Sequence, residues 1–361
     1  MLQTPLIGFH KDAGARLVDF AGWEMPVVYA GIIEEHNHTR NHATFFDVSH
    51  MGRVRFRGND AEALLERLNT RAIAGMAVGQ SRYSHMLRED GGILDDVIVT
   101  RLEDHFLVVC NASNRVKLLD WWDRHLAGTD VQITDETTET AMIAIQGPEA
   151  IETIESLLPF QVSDLKRYHC RAGFIAGAEY IISRTGYTGE DGLEIIMPAA
   201  FAPSAAHMLV EKSAEKGRPI LPAGLGARDT LRTEAAMPLY GHELTEEWDP
   251  ISAGQAWVVK FEKEFIGRDT CLRVRDAGPM RKLIGLEVDS KRTPRQGAVI
   301  RADGEDVGVV TSGVSSPTLG RVIAMGFVPP QLAEAGTSLE VVISRDVAPA
   351  RVVAMPFYKR G

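Results

Sequence analysis

At 361 residues the chain is too long for one ordinary hydrophobic core, so two or three domains are expected. Hydrophobic residues at 45% and charged residues at 24% exclude a disordered or fibrous chain. A formal net charge of −10 excludes general nucleic-acid binding, and any anionic ligand must be met by local Arg or Lys.

In chain order, residues 31–44 read as a helix ending before Phe45-Phe46-Asp47. Met51 to Gly58 alternates as a strand and hands over to a helix over Ala61–Asn69, with Leu64, Leu65 and Leu68 on one face. Tyr83–Leu87, Ile93–Thr100 and Phe106–Cys110 read as a meander with a turn at 89–92, followed by a helix carrying Trp121 and Trp122. Ala141–Gln146 and Tyr180–Ser183 read as strands, and Phe201–Lys216 as a helix. Beyond Tyr240 short β-branched runs (Leu283–Val288, Val307–Thr311, Val322–Phe327, Leu339–Ser344) predict a small all-β domain. The outcome is an α+β body of about two domains with a C-terminal β domain.

Cys110, Cys170 and Cys271 are scattered, with no C-x-x-C, so a reducing compartment is expected rather than a disulfide framework. No signal peptide is visible before Lys11 and Asp12, and no run approaches the roughly 20 apolar residues of a spanning helix. A cytoplasmic location without a membrane partner is the expectation. Gly224-Leu225-Gly226-Ala227-Arg228-Asp229 starts like a dinucleotide loop, but Asp stands where the third Gly belongs. His38 and His42 share a helical spacing, yet without a third ligand they read with His36 as an exposed polar face beside Glu34, Glu35 and Arg40, and no metal is expected.

Several stretches point to chemistry. Asp95 and Asp96 enter an apolar strand, where neighbours face opposite sides, so one of the two must point inward and needs a cation or donors there. Residues 183–194 combine three glycines, which let backbone approach a ligand, with Arg184, Tyr187, Glu190, Asp191 and Glu194. Arg228 falls near the start of a helix, against the dipole, and calls for an acid or an anionic ligand. His50, in Phe46-Asp47-Val48-Ser49-His50-Met51-Gly52, reads as an ordinary core or loop histidine, and residues 311–320 and 355–361 as loop and tail.

Taken in order, F-A-G-W-E-M-P (20–26), F-D-V-S-H-M-G (46–52), G-G-I-L-D-D (91–96), N-A-S-N (111–114), I-Q-G-P (145–148), S-R-T-G-Y-T-G-E-D-G (183–192), P-A-G-L-G-A-R-D (222–229), L-Y-G-H-E (239–243), F-I-G-R (265–268) and M-P-F-Y-K (355–359) resemble the glycine cleavage T-protein family along essentially the whole chain. The resemblance implies a three-domain, clover-like α+β protein of mainly antiparallel sheets, with a C-terminal barrel or jelly-roll-like domain and a central folate channel. The divisions expected are 1–53 plus 137–240, 54–136, and 241–361. It implies an aminomethyltransferase that takes its group from the lipoyl arm of H-protein, releases ammonia and forms 5,10-methylenetetrahydrofolate. The implied catalytic residue is Asp96, and the implied tetrahydrofolate contacts are Tyr83, Asn111, Tyr187, Glu194, Arg228 and Tyr358. His85 and the His36/His38/His42 cluster lie outside the family pattern. A non-catalytic folate-binding relative that assists iron–sulfur proteins would carry K-G-C-[FY]-x-G-Q-E where this chain has Met237 to Glu243. A folate-linked demethylase is disfavoured by G-G-I-L-D-D.

Overall fold

The computed structural model describes residues 1–175 and 177–360. A six-stranded sheet runs in the order Cys170–Ile175, Ala178–Ser183, Gly192–Pro198, Thr140–Gln146, Ala43–Asp47, Ile220–Pro222, antiparallel except for its last pair. Phe45, Ile143, Ile145, Ile182, Leu193 and Ile195 form its core with Ala202, Ala206 and Leu209 of the helix Ala202–Glu215. Those three recur at helical spacing, so one stripe covers the sheet. The expected helix over 31–44 stops at Asn41, because Ala43–Asp47 is an interior strand buried at every position. A strand covered on both faces lacks the polar–apolar alternation that would announce it.

A second sheet runs Ser81–Leu87, Ile93–Arg101, Phe106–Cys110, Gly52–Arg57, Gln132–Asp135. The expected turn closes with Arg88 N bonded to Gly92 O at 2.9 Å and Gly91 N to Arg88 O at 3.0 Å. Gly91 sits at φ 87°, a conformation glycine adopts without a Cβ penalty. Trp122, from the helix Arg115–Asp123, meets Phe56 edge-on at 5.0 Å.

The C-terminal segment is a closed six-stranded barrel, ordered Lys282–Val288, Arg321–Val328, Glu305–Ser316, Val299–Ala302, Ser338–Ile343, Asp346–Val353. Ile284, Leu286, Val310, Ala324, Val341 and Val352 fill its interior. Ser312 to Ser316, read above as loop, continue the Val307–Thr311 run as the end of a twelve-residue strand with a bulge between Val310 and Ser312. The mixture of antiparallel sheets, helices and a closed barrel is the α+β class expected.

The chain separates into two compact units. The first comprises Met1–Glu66, Ala72–Ser84 and Val97–Arg228, and the second Arg67–Arg71, His85–Asp96 and the chain from Asp229 onward. His85 belongs to the second, fully buried, its amide donating to Thr70 Oγ1 at 3.2 Å, and burial pushes its imidazole down to about 3.

Candidate functional site

In the first unit the Gly-rich stretch is a loop between the strands Ala178–Ser183 and Gly192–Pro198, and most of its charge is engaged within the protein. Arg184 grips Asp191 through Nε (3.1 Å) and Nη2 (2.5 Å). Glu190 pairs with Arg40 at 2.8 Å, and Arg40 also donates to Thr188 O at 2.8 Å. Gln146, of the I-Q-G-P motif, donates to Thr185 O at 3.1 Å and accepts from Thr188 Oγ1 at 3.0 Å. A Cβ at Gly186 or Gly192 would overlap that carboxamide. These two glycines thus admit a side chain of the protein, where the sequence pattern suggests a ligand.

Tyr187 and Glu194 carry the remaining chemistry of the stretch. Glu194 is 8% exposed and accepts a hydrogen bond from Thr185 Oγ1. Burial raises its pKa, and the Thr185 bond and the charge of Arg228 pull it back only in part. The Arg228 guanidinium lies 4.6 Å from the centroid of the Tyr187 ring, a cation–π distance. The structure therefore brings Tyr187, Glu194 and Arg228 into one cluster.

Arg228 is the fourth residue of the helix Leu225–Glu234. The start of that helix is held by Glu35, whose carboxylate accepts from Gly224 N at 2.8 Å while also accepting from Tyr29, Ala30 and Gly31 at 2.7, 3.1 and 3.2 Å. Gly224 is required, since a Cβ at this position would stand 2.4 Å from the Val27 carbonyl carbon. So the helix Ile32–Asn41 is not the exposed polar face expected. Glu35, His36 and Arg40 are buried, and two of them brace the site. His38 donates to Pro219 O at 3.0 Å and His42 to Glu149 at 3.1 Å. Among the described residues no group of three or more His, Cys, Asp or Glu is placed to hold a metal ion.

Nearby, His10 Nε2 bonds Asp47 Oδ2 at 2.8 Å and Tyr29 hydroxyl bonds His10 Nδ1 at 2.8 Å. Burial pushes the Asp47 carboxyl up, but the bond and charge of His10, with bonds from Ser49 and Thr4, bring it below its ordinary value. Tyr83 and Asn111 also fall in the first unit, both half-buried, Tyr83 on the strand Ser81–Leu87 and Asn111 just after Phe106–Cys110.

The second unit holds Asp95, Asp96 and Tyr358. The acid that points inward is Asp95, fully buried, while Asp96 is half-exposed. Burial thus singles out one acid and the family motif the other. Of the two, only Asp96 keeps an open side through which to reach a ligand. Tyr240, absent from the sequence-based candidates, donates to Ile93 O at 3.0 Å. Burial, then the charges of Glu246, Asp95 and Asp96, raise its pKa. This tyrosine stands in L-Y-G-H-E, but only the fold sets it against the acidic strand. Tyr358 N donates to Glu234 O at 2.8 Å, and the Glu234 carboxylate receives Thr318 N (3.1 Å) and Thr318 Oγ1 (2.7 Å). Arg232 bonds Glu243 at 3.0 Å and Ser312 Oγ at 2.7 Å, and so ties L-Y-G-H-E to the strand Glu305–Ser316.

The family descriptions "GCVT N-terminal domain" and "Glycine cleavage T-protein C-terminal barrel domain" match residues 6–263 and 281–359. The chain belongs to the glycine cleavage T-protein family. It is 49% identical over 360 residues to the aminomethyltransferase of Rubrobacter xylanophilus, covering 99% of this chain and 94% of that one. With that of Moorella thermoacetica it is 43% identical, covering 99% and 98%. The crystal structure of the glycine cleavage system aminomethyltransferase T from Bartonella henselae superposes with a TM-score of 0.92 at 35% identity, covering 99% and 98%. The activity is that of a tetrahydrofolate-dependent aminomethyltransferase of glycine cleavage.

Proposed function

We propose that this chain accepts the aminomethyl group from the lipoyl arm of H-protein and transfers its carbon to tetrahydrofolate, with Asp96 as the catalytic carboxylate. The observation that carries the reading is the Tyr187–Glu194–Arg228 cluster, which pairs a buried acid with an arginine-covered aromatic ring. A pterin is flat and rich in donors and acceptors, so a buried acid suits its amino-pyrimidine edge and an aromatic ring its face. Glu194 takes the edge and Tyr187 the face; Tyr83, Asn111, Arg228 and Tyr358 complete the contacts.

The carbon–sulfur and carbon–nitrogen bonds of the carried group break, and two bonds form to the folate nitrogens. The two folate N–H protons leave with the lipoyl thiol and with ammonia. The reacting carbon becomes iminium-like as ammonia departs, and an ionised Asp96 stabilises that charge or accepts the proton of the attacking nitrogen. The covalent chemistry lies in the lipoyl thiol and the folate, so no protein nucleophile is needed. Three free, buried cysteines support a reducing, cytoplasmic setting.

The test is methylenetetrahydrofolate formation from aminomethylated H-protein, with Arg228→Ala as the first variant. The reading expects poorer use of folate and carrier at an unchanged melting temperature. Lost thermal stability with intact kinetics in the folded fraction would make Arg228 a structural residue.

A further inference from the structure

One polar group beside the Tyr187–Glu194–Arg228 cluster has no role in the reaction as derived. His50 is 3% exposed, and its Nδ1 is buried without a hydrogen-bond partner among the described residues. Its neighbours in the same turn are fully engaged. Ser49 N donates to Asp47 Oδ1 at 2.8 Å, Ser49 Oγ to Met142 O at 3.2 Å, and Met51 N to Val48 O at 3.0 Å. Phe20 stands edge-on to the imidazole at 5.5 Å, fixing the ring plane. An orphaned buried polar atom costs roughly 1–3 kcal/mol, so a turn this well bonded has no structural reason to keep one.

The ring is also held neutral. Burial, then the charge of Arg228, push its pKa to about 3, with Asp47 opposing and Arg53 adding to the depression. A neutral imidazole offers one donor and one acceptor. Such a group, with guanidinium charges close by, suits a neutral amide-like or lactam-like partner; a carboxylate would be taken by the arginines themselves.

We infer that His50 is a further ligand contact, its Nδ1 hydrogen-bonding a neutral polar group in the pterin or benzoyl part of the bound folate. The inference rests on the assignment of Tyr187, Glu194 and Arg228 to folate binding. Asn places a polar atom near the position of Nδ1, Gln near that of Nε2, and Leu supplies neither.

Calorimetric titration with tetrahydrofolate, beside a melting curve on each preparation, tests it. His50→Leu weakens binding about tenfold, the scale of one hydrogen bond, while its melting temperature holds or rises because the orphan atom is gone. His50→Asn binds within about threefold of the parent, and His50→Gln resembles Leu. The same loss with tetrahydropteroate, which lacks the glutamate, places the contact in the neutral part of the ligand. An unchanged dissociation constant in His50→Leu overturns the inference. So do equal effects of Asn and Gln, or a loss that disappears with tetrahydropteroate. Should the Leu variant not fold, the Asn–Gln contrast alone decides. Glu194→Gln run in parallel separates the two readings. If it weakens binding and His50→Leu does not, only His50 is withdrawn; if neither does, the folate assignment of the cluster itself fails.

Discussion

Glu190 and Glu194 lie four residues apart and are equally buried, each 8% exposed, yet their surroundings differ in kind. Glu190 faces Arg40 at 2.8 Å in a pair whose side chains are 0% and 6% exposed. Glu194 has a hydroxyl from Thr185 and feels Arg228 without forming an ion pair. The first is a brace for a loop. The second is an acid kept in a low-dielectric place with spare hydrogen-bonding capacity, which is what a ligand edge requires. Burial alone does not separate the brace from the proposed ligand contact; the partner does.

Four substitutions break or sharpen that contrast. The largest effect falls on the aspartates, which differ from the glutamates in being told apart by exposure. Asp96→Asn lowers the turnover of aminomethyl transfer by about 100-fold or more. Asp95→Asn, at a fully buried position, lowers the melting temperature and leaves most turnover in the folded fraction. Equal losses of turnover in both would undo the assignment of Asp96. Next, Glu190→Gln removes the buried charge that faces Arg40 and destabilises by about 3–5 kcal/mol in denaturant titration, with folate affinity intact.

Glu194→Gln does the reverse. It weakens tetrahydrofolate binding by about 1.5–3 kcal/mol, the scale of a charge-assisted hydrogen bond, and keeps or raises stability. An unchanged dissociation constant removes Glu194 from the site.

The smallest effect is a pH dependence. Burial raises the Glu194 pKa above its ordinary 4.5, so between 4.5 and the raised value the folded protein binds more protons than the unfolded chain. The stability linked to this group is full below 4.5 and declines as pH climbs through the raised pKa. The melting temperature of Glu194→Gln relative to the parent should therefore climb with pH above 4.5 and be flat below it. A gap that narrows with rising pH contradicts the burial argument.

The clustered residues were more legible in the sequence than the scaffold that holds them. Tyr187, Glu194 and Arg228 stand in motifs dense enough to notice, and the structure clusters them. Gln146, Arg40 and Glu35, which set the loop and the helix start, were not legible in those roles, because each also holds a partner far away in sequence. Among the elements, Phe106–Cys110 was plain from its apolar run and ends where expected. Gly192–Pro198 was hidden, because a Gly–Glu–Asp–Gly approach reads as loop and its first five residues are all buried, leaving no alternation. Asp346–Val353 was hidden by Pro349, tolerated there because it falls on the exposed side while Ala348, Ala350 and Val352 turn inward.

The parallel pairing of Ala43–Asp47 with Ile220–Pro222 has a consequence for biosynthesis. At about 5–20 residues per second the ribosome needs on the order of 10–35 s to travel from one strand to the other. Throughout that interval an interior strand has an open hydrogen-bonding edge, and the Glu35 carboxylate waits for an amide 189 positions downstream. The first unit therefore closes late in translation. Nascent chains truncated before residue 220 should be protease-sensitive and prone to edge-to-edge association, and recruitment of a chaperone should peak over that window.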